Sequence, residues 1–110
     1  MNIYNRSSIV DFYNRHANSK IPLEIWYGEV SKKNWKSPNK LKDDYGGNIS
    51  ILKNSRAVFD IKGNDYRIVV EINYENGWLF IKFIGTHLEY DKIDANIIDK
   101  YKKKKQNKKL

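Results

Sequence analysis

Between Lys62 and Asp91 this chain carries a histidine, a tyrosine, an aspartate and two cations at spacings that one sheet edge can collect. His87, Tyr90 and Asp91 lie in Gly85-Thr86-His87-Leu88-Glu89-Tyr90-Asp91, and Lys62 and Arg67 precede them. RNA can be cleaved without a metal when a base takes the 2′-OH proton, cations stabilise the crowded phosphorane and an acid protonates the departing 5′-oxygen. Histidine serves either proton role near neutral pH. His87 is therefore the candidate for proton transfer, Arg67 and Lys62 for the phosphate, and Tyr90 or Asp91 for a second proton-handler or an orienter. Lys82 is a further candidate phosphate contact.

Each residue also has a plainer account. A lone histidine at a strand end is more often a hydrogen-bonded structural residue, and Tyr90 would by default pack on the sheet. Asp91 would favour the positive start of a helix. Arg67 would pair with Glu71 on its own strand face, and Asn64 would be a turn residue. The convergence of these residues is what favours chemistry. His16, at the end of an expected helix, reads as a surface residue favourable at a helix C-terminus.

Other chemistries find no matching pattern. The chain has no cysteine, so disulfides and thiolate nucleophiles are excluded. It has no glycine-rich phosphate loop, no G-x-S-x-G elbow, no H-E-x-x-H and no EF-hand ligand run. With two histidines, a zinc site would need carboxylates for its remaining ligands, so neither metal nor cofactor is expected.

Several elements must position these residues. Ile3 and Tyr4 suggest a short opening strand, and Ser7 or Ser8 would cap a helix through His16. A second helix is expected over 22–31, with Leu23, Trp26, Tyr27 and Val30 at core spacing. Ser37-Pro38 is a strong helix start, and Gly46-Gly47 would stop that helix after Tyr45. From Asn48 the period becomes two. Strands are expected over 49–52, 56–61, 66–74 and 78–84, the third and fourth joined at the Asn76-Gly77 hairpin signal. Gly63 would supply the positive φ of the turn between the second and third. In the last strand Leu79, Ile81 and Phe83 would share one apolar face, and Gly85 would end it. Thr86 and Glu89 match a capping box, which predicts a final helix from Thr86 through Ile98. The order gives an α+β domain, N-terminal helices packed on an antiparallel meander with a short closing helix.

Net charge is +8, which invites a nucleic-acid reading. Lys100, Lys102, Lys103, Lys104, Lys105, Lys108 and Lys109 supply seven of the 21 basic residues; without them 14 basic residues face 13 acidic ones. Residues 1–99 thus read as one near-neutral domain and 100–110 as a solvated, disordered lysine tail, or as a tether to RNA or the ribosome. Trp35 and Lys36, within a lysine-rich stretch around the third helix, are candidates for a stacking ring and a backbone contact on RNA; the alternative there is a solvated helical face. The chain shows no secretory signal and no membrane-length apolar run, so a cytoplasmic protein is expected, with no membrane partner.

Lys62-Gly63-Asn64-Asp65-Tyr66-Arg67-Ile68-Val69-Val70, followed by Phe80-Ile81-Lys82-Phe83-Ile84-Gly85-Thr86-His87-Leu88-Glu89-Tyr90-Asp91-Lys92-Ile93, resembles the HigB family of toxins. The Trp26-Tyr27 helix, Trp35-Lys36-Ser37-Pro38 and Asn48-Ile49-Ser50 resemble further stretches of that family, from about Met1 to Ile98. The resemblance implies a RelE-like fold and a ribosome-dependent endoribonuclease that cuts mRNA, typically in the ribosomal A site. It also implies a HigA-type helix-turn-helix antitoxin, through which the pair would contact operator DNA. Lys62, Asn64, Arg67, His87, Tyr90 and Asp91 match its motif positions, and Lys82 a basic position in the last strand. Two rival functions stay open: a non-catalytic RNA- or ribosome-binding module, and a protein-interaction domain whose partner covers the sheet.

Overall fold

A computed structural model of the chain describes residues 1–101. In chain order the elements are β1 (Asn2–Tyr4), α1 (Arg6–Arg15), α2 (Lys20–Ser31), α3 (Pro38–Tyr45), β2 (Ile49–Ile51), β3 (Arg56–Ile61), β4 (Tyr66–Asn73), β5 (Trp78–Thr86) and α4 (His87–Tyr90). The five strands form one sheet in the order β1-β5-β4-β3-β2. The meander from β2 to β5 is antiparallel as expected, but β1 joins β5 in parallel, so the sheet is mixed. No helix of the described residues is long and apolar enough to cross a membrane.

The helices cover one face. Ile9 and Phe12 of α1, Leu23, Trp26 and Val30 of α2 and Leu41 of α3 meet Phe59, Ile61, Ile68, Val70, Ile72, Leu79, Ile81 and Ile84 of the sheet. α1 and α2 supply apolar residues three or four apart, and β4 supplies every second residue, as its alternation requires. α3 begins as its residues dictate: Pro38 takes the first helical position, and the Ser37 side chain accepts the Lys40 N–H. α1 begins differently. Asn5, in the left-handed region at φ 77°, precedes it, and neither Ser7 nor Ser8 caps it.

Two expectations fail for identifiable reasons. β5 does not end at Gly85, because Arg67 and Tyr66 of β4 still pair with Gly85 and Thr86. Nor do Leu79, Ile81 and Phe83 share a face. Val69 pairs with Phe83 while Val70 pairs with Ile81, so Lys82 is the extra residue of a β-bulge. One inserted residue reverses the side-chain alternation beyond it. Phe83 therefore turns to the second face, beside Val58, Val69 and Ala95, and Ile84 returns to the helix-covered core.

The final helix is also shorter than its capping box suggests. α4 stops at Tyr90, and residues 91–101 follow without a further helix. Asp94 is a local cause: its side chain accepts the Asn96 N–H at 2.9 Å, a short Asx turn that competes with helical hydrogen bonding. The segment instead lays Tyr90, Ile93, Ala95 and Ile98 over the second face. Arg56, buried, fastens it by donating to the carbonyls of Ala95 (3.0 Å) and Ile98 (2.7 Å) while pairing with Glu71 at 3.4 Å. Lys100 and Tyr101, assigned to the tail by sequence, lie against the body: Lys100 N–H donates to the Lys82 carbonyl at 2.9 Å and Tyr101 packs on the core. The remainder of the tail, 102–110, lies outside the described residues.

Candidate active site

The β3–β4 hairpin and the β5–α4 junction meet at one end of the sheet. Lys62 and Gly63 both take positive φ, 52° and 63°, and turn the chain so that Asp60 faces Arg67 across the strands. At the junction the capping box is complete: Thr86 Oγ1 accepts the Glu89 N–H at 3.1 Å, and Glu89 Oε1 accepts the Thr86 N–H at 2.8 Å. That bond to the backbone N–H of Thr86 holds the Glu89 carboxyl below its ordinary range. Gly85 permits the close turn, because a Cβ there would collide with the Phe83 ring and lie 3.0 Å from Glu89 Oε1. The His87 N–H then donates to the Asp65 carbonyl at 3.0 Å, which joins the two pieces.

Arg67 is the hub of the inner layer. Its side chain is only 10 % exposed, with Nε 3.2 Å from Asp60 Oδ1. Nη1 donates to the carbonyls of Asn64 and Tyr66, each at 3.2 Å, and Nη2 donates to Asn64 Oδ1. A guanidinium has five N–H donors, so one, on Nη2, remains for an incoming group. The partner of Arg67 is thus Asp60 and not Glu71, which pairs with Arg56. Asn64 is more than a turn residue, since both its carbonyl and its side chain hold Arg67. Above the guanidinium lies Tyr90, its ring centroid 5.7 Å from Cζ. Burial raises the Tyr90 phenol's pKa, Arg67 opposes that rise, and Asp60 and Asp91 add to it. The phenol is therefore protonated at neutral pH.

The outer layer is more open. His87 and Asp91 are 43 % and 54 % exposed, and His87 Nε2 stands 3.6 Å from Asp91 Oδ2. His87 Nδ1 is buried without a partner. Lys62 Nζ lies 3.0 Å from Asp65 Oδ2, and that contact raises the lysine's pKa. Asn64, Asp65, Tyr66, Thr86, His87 and Leu88 line an open hollow of about 410 Å³. A hollow of similar size, about 440 Å³, is lined by Glu29, Lys32, Lys33, Asp44 and Tyr45, none of them a candidate for the chemistry.

The structure thus gathers Lys62, Asn64, Arg67, His87, Tyr90 and Asp91 but leaves three candidates elsewhere. Trp35 is a core residue, 4 % exposed, packed against Tyr45 and Phe59 with Nε1 donating to Asp44 at 2.7 Å. It therefore cannot offer a face to a base, and the exposed Lys36 loses its supposed stacking neighbour. Lys82, at the bulge, lies 3.5 Å from Asp99 and over the Phe80 ring, in a hollow with Tyr4 and Asn5. His16 is not a plain surface residue either: half-buried, it stacks on Phe12 with centroids 4.2 Å apart. Asp60 was missed, although a signal existed. Counting outward from a four-residue turn at 62–65 pairs Ile61 with Tyr66 and hence Asp60 with Arg67, opposite charges face to face.

A four-stranded meander backed by helices, with a basic and histidine-bearing cluster at its end, suits the RelE-like toxic component of a toxin-antitoxin system, and the family model of that description matches residues 19–93. The chain belongs to the HigB toxin family. It is similar to an mRNA interferase HigB of Escherichia coli O6:H1, 26 % identical over 95 residues that cover 84 % of this chain and 91 % of that protein. The mRNA interferase toxin HigB of Escherichia coli K12 is likewise 26 % identical over 93 residues, 83 % of this chain and 88 % of the relative.

Proposed function

We propose that this chain is an endoribonuclease that cuts mRNA, metal-independently and on the ribosome, as the toxin paired with a HigA-type antitoxin in the cytoplasm. The observation that carries the reading is the placement of His87 at the β5–α4 junction, with Asp91 at 3.6 Å, on the same short helix that sets Tyr90 over Arg67. His87 takes the 2′-OH proton, the 2′-oxygen bonds to phosphorus, and the bond from phosphorus to the 5′-oxygen breaks. The leaving oxygen receives a proton from Tyr90, whose raised pKa keeps it in the donating form. The products are a 2′,3′-cyclic phosphate and a 5′-hydroxyl.

Asp91, 3.6 Å from His87 Nε2, orients the imidazole. Arg67 contributes one free N–H and its charge, and Lys62 contributes a half-exposed cation held by Asp65. Because the body is near neutral, free RNA would bind weakly. The ribosome would supply the positioning.

Primer extension on messages after brief induction tests the reading. Wild type should give discrete new 5′ ends and His87→Ala should give none. Purified protein should cut a translated message with ribosomes present and leave the same RNA intact without them. If His87→Ala cut like wild type, the site assignment would fail; if wild type bound ribosomes and cut nothing, the chain would be a non-catalytic binding module.

A further inference from the structure

One carboxylate beside the site has no part in the chemistry above. Asp60 is the penultimate residue of β3, directly opposite Arg67 of β4, and the other five residues of its strand are buried. Its side chain is 28 % exposed, with Oδ1 3.2 Å from Arg67 Nε. A carboxylate drawn this far out of water costs desolvation that a single ion pair need not offset. The turn does not require it: Lys62 and Gly63 take positive φ, and the Asp65 N–H closes on the Lys62 carbonyl at 3.2 Å. The shape of the hairpin therefore does not explain the aspartate.

The contacts of Arg67 do explain it. Nη1 donates to the carbonyls of Asn64 and Tyr66, and Nη2 donates to Asn64 Oδ1, so these bonds grip one end of the group from residues next to it in the chain. Among the described residues, Asp60 supplies the contact at Nε, and it does so from the neighbouring strand. A guanidinium is planar, so a grip at Nε added to a grip at the Nη end fixes its plane as well as its position. The N–H left on Nη2 then points in one direction. A donor that must meet charge developing on a phosphorane is effective when its direction is set beforehand.

We propose that Asp60 is a positioning residue of the cleavage site: its carboxylate oxygen, holding Nε from β3, sets the plane of the Arg67 guanidinium so that the remaining Nη2 N–H is presented to the scissile phosphate. The acceptor oxygen at that place is what matters, and the negative charge is secondary. Asp60 itself touches no substrate. This deepens the nuclease reading above and rests on it for the identity of the anion.

Two readouts separate position from charge and from stability. In full-length, isotope-labelled protein carrying His87→Ala, the Arg67 Nε–H resonance, assigned by its loss in Arg67→Lys, should exchange slowly with water. Asp60→Ala should speed that exchange, and Asp60→Asn, which keeps an oxygen at Nε, should not. With His87 restored, Asp60→Ala should cut a translated message on ribosomes about 10²-fold more slowly, and Asp60→Asn should recover most of that loss. Asp60→Glu keeps the charge but carries its oxygens one methylene further, and should cut less than Asp60→Asn. Circular dichroism melts report the folding of each variant; if Asp60→Ala does not fold, the isosteric Asn against Glu decides alone. Unchanged Nε–H exchange in Asp60→Ala, or cutting by that variant at the wild-type rate, would overturn the proposal. So would Asp60→Glu cutting better than Asp60→Asn, since charge would then suffice. A wild type that cuts nothing, while Asp60→Ala still frees the Nε–H, would sink the nuclease reading alone and leave Asp60 orienting Arg67.

Discussion

Arg67 and Tyr90 are stacked, guanidinium against ring, with 5.7 Å between Cζ and the ring centroid. The pair joins β4 to α4 and fixes the ring of Tyr90 over the cation, which a four-residue helix could not do alone. It also separates packing from chemistry. Tyr90→Phe keeps the ring over the cation and removes only the hydroxyl. If Tyr90 is the acid, cleavage on the ribosome should fall by about 10²- to 10⁴-fold with the melting temperature unchanged. Tyr90→Ala should lose stability as well. Equal activity in Tyr90→Phe and wild type would assign the proton to another group.

Arg67 itself is held by so many partners that its removal should unfold as well as inactivate. Arg67→Ala leaves Asp60 without its partner and should cost about 3 kcal/mol of stability. Arg67→Lys is more informative, because it retains charge but cannot hold Asn64, Tyr66 and Asp60 together. Denaturant melts should show an intermediate loss. A kcat that nevertheless stays near wild type would show that only the charge matters.

Lys62 offers the opposite combination. It occupies the left-handed region at φ 52°, where a side chain costs roughly 1 kcal/mol, and its ammonium sits at the exposed rim. Lys62→Gly relieves the strain and deletes the cation. Stability should hold or rise slightly while cleavage falls, a divergence visible by comparing melts with ribosome-dependent cutting. A fall in both would make Lys62 a structural residue.

What the sequence made legible was local. Ser37-Pro38, the Asn76-Gly77 turn and the Thr86/Glu89 box each act within four residues, and each stands where its chemistry placed it. The gathering of Lys62, Arg67 and His87 followed from hairpin register, which is also short-range. The failures are long-range. Only the pairing of β4 with β5 reveals that Lys82 is a bulge, and only the packing of α3 on β3 decides that Trp35 is buried and not a stacking surface. The path of 91–101 depends on Arg56, some forty residues earlier.

The capping box predicts a specific acid sensitivity. The folded-state pKa of Glu89 is depressed, so its ionised form favours the native state. That contribution is complete above the ordinary glutamate range and disappears as pH falls through the depressed value. Glu89→Gln preserves the reciprocal hydrogen bonds without the charge. Melting temperatures recorded from about pH 7 down to about pH 3 should show wild type above the variant at the neutral end, the two converging in acid. A gap that stays constant across the range would mean that the carboxylate's charge contributes nothing.

Arg56 yields the most demanding test of how the site is assembled, because it opens β3, at the end of the strand away from the turn that borders the hollow. It donates to the carbonyls of Ala95 and Ile98 and pairs with Glu71, so Arg56→Ala strands two carbonyls and releases the segment that begins at Tyr90. Hydrogen bonds to a charged group contribute about 1.5 to 3 kcal/mol each net of water, and a loss of about 3 kcal/mol is expected. Hydrogen exchange should speed up in 91–101 more than in β4 or β5. Cleavage should decline with no group of the hollow altered, since Tyr90 would lose the packing that holds it over Arg67. Arg56→Lys should recover little, one ammonium being unable to reach both carbonyls and Glu71 in the geometry of a planar fork. If Arg56→Ala changed neither exchange in 91–101 nor cutting, the segment would be held by its apolar contacts with Val58, Val69 and Phe83 alone.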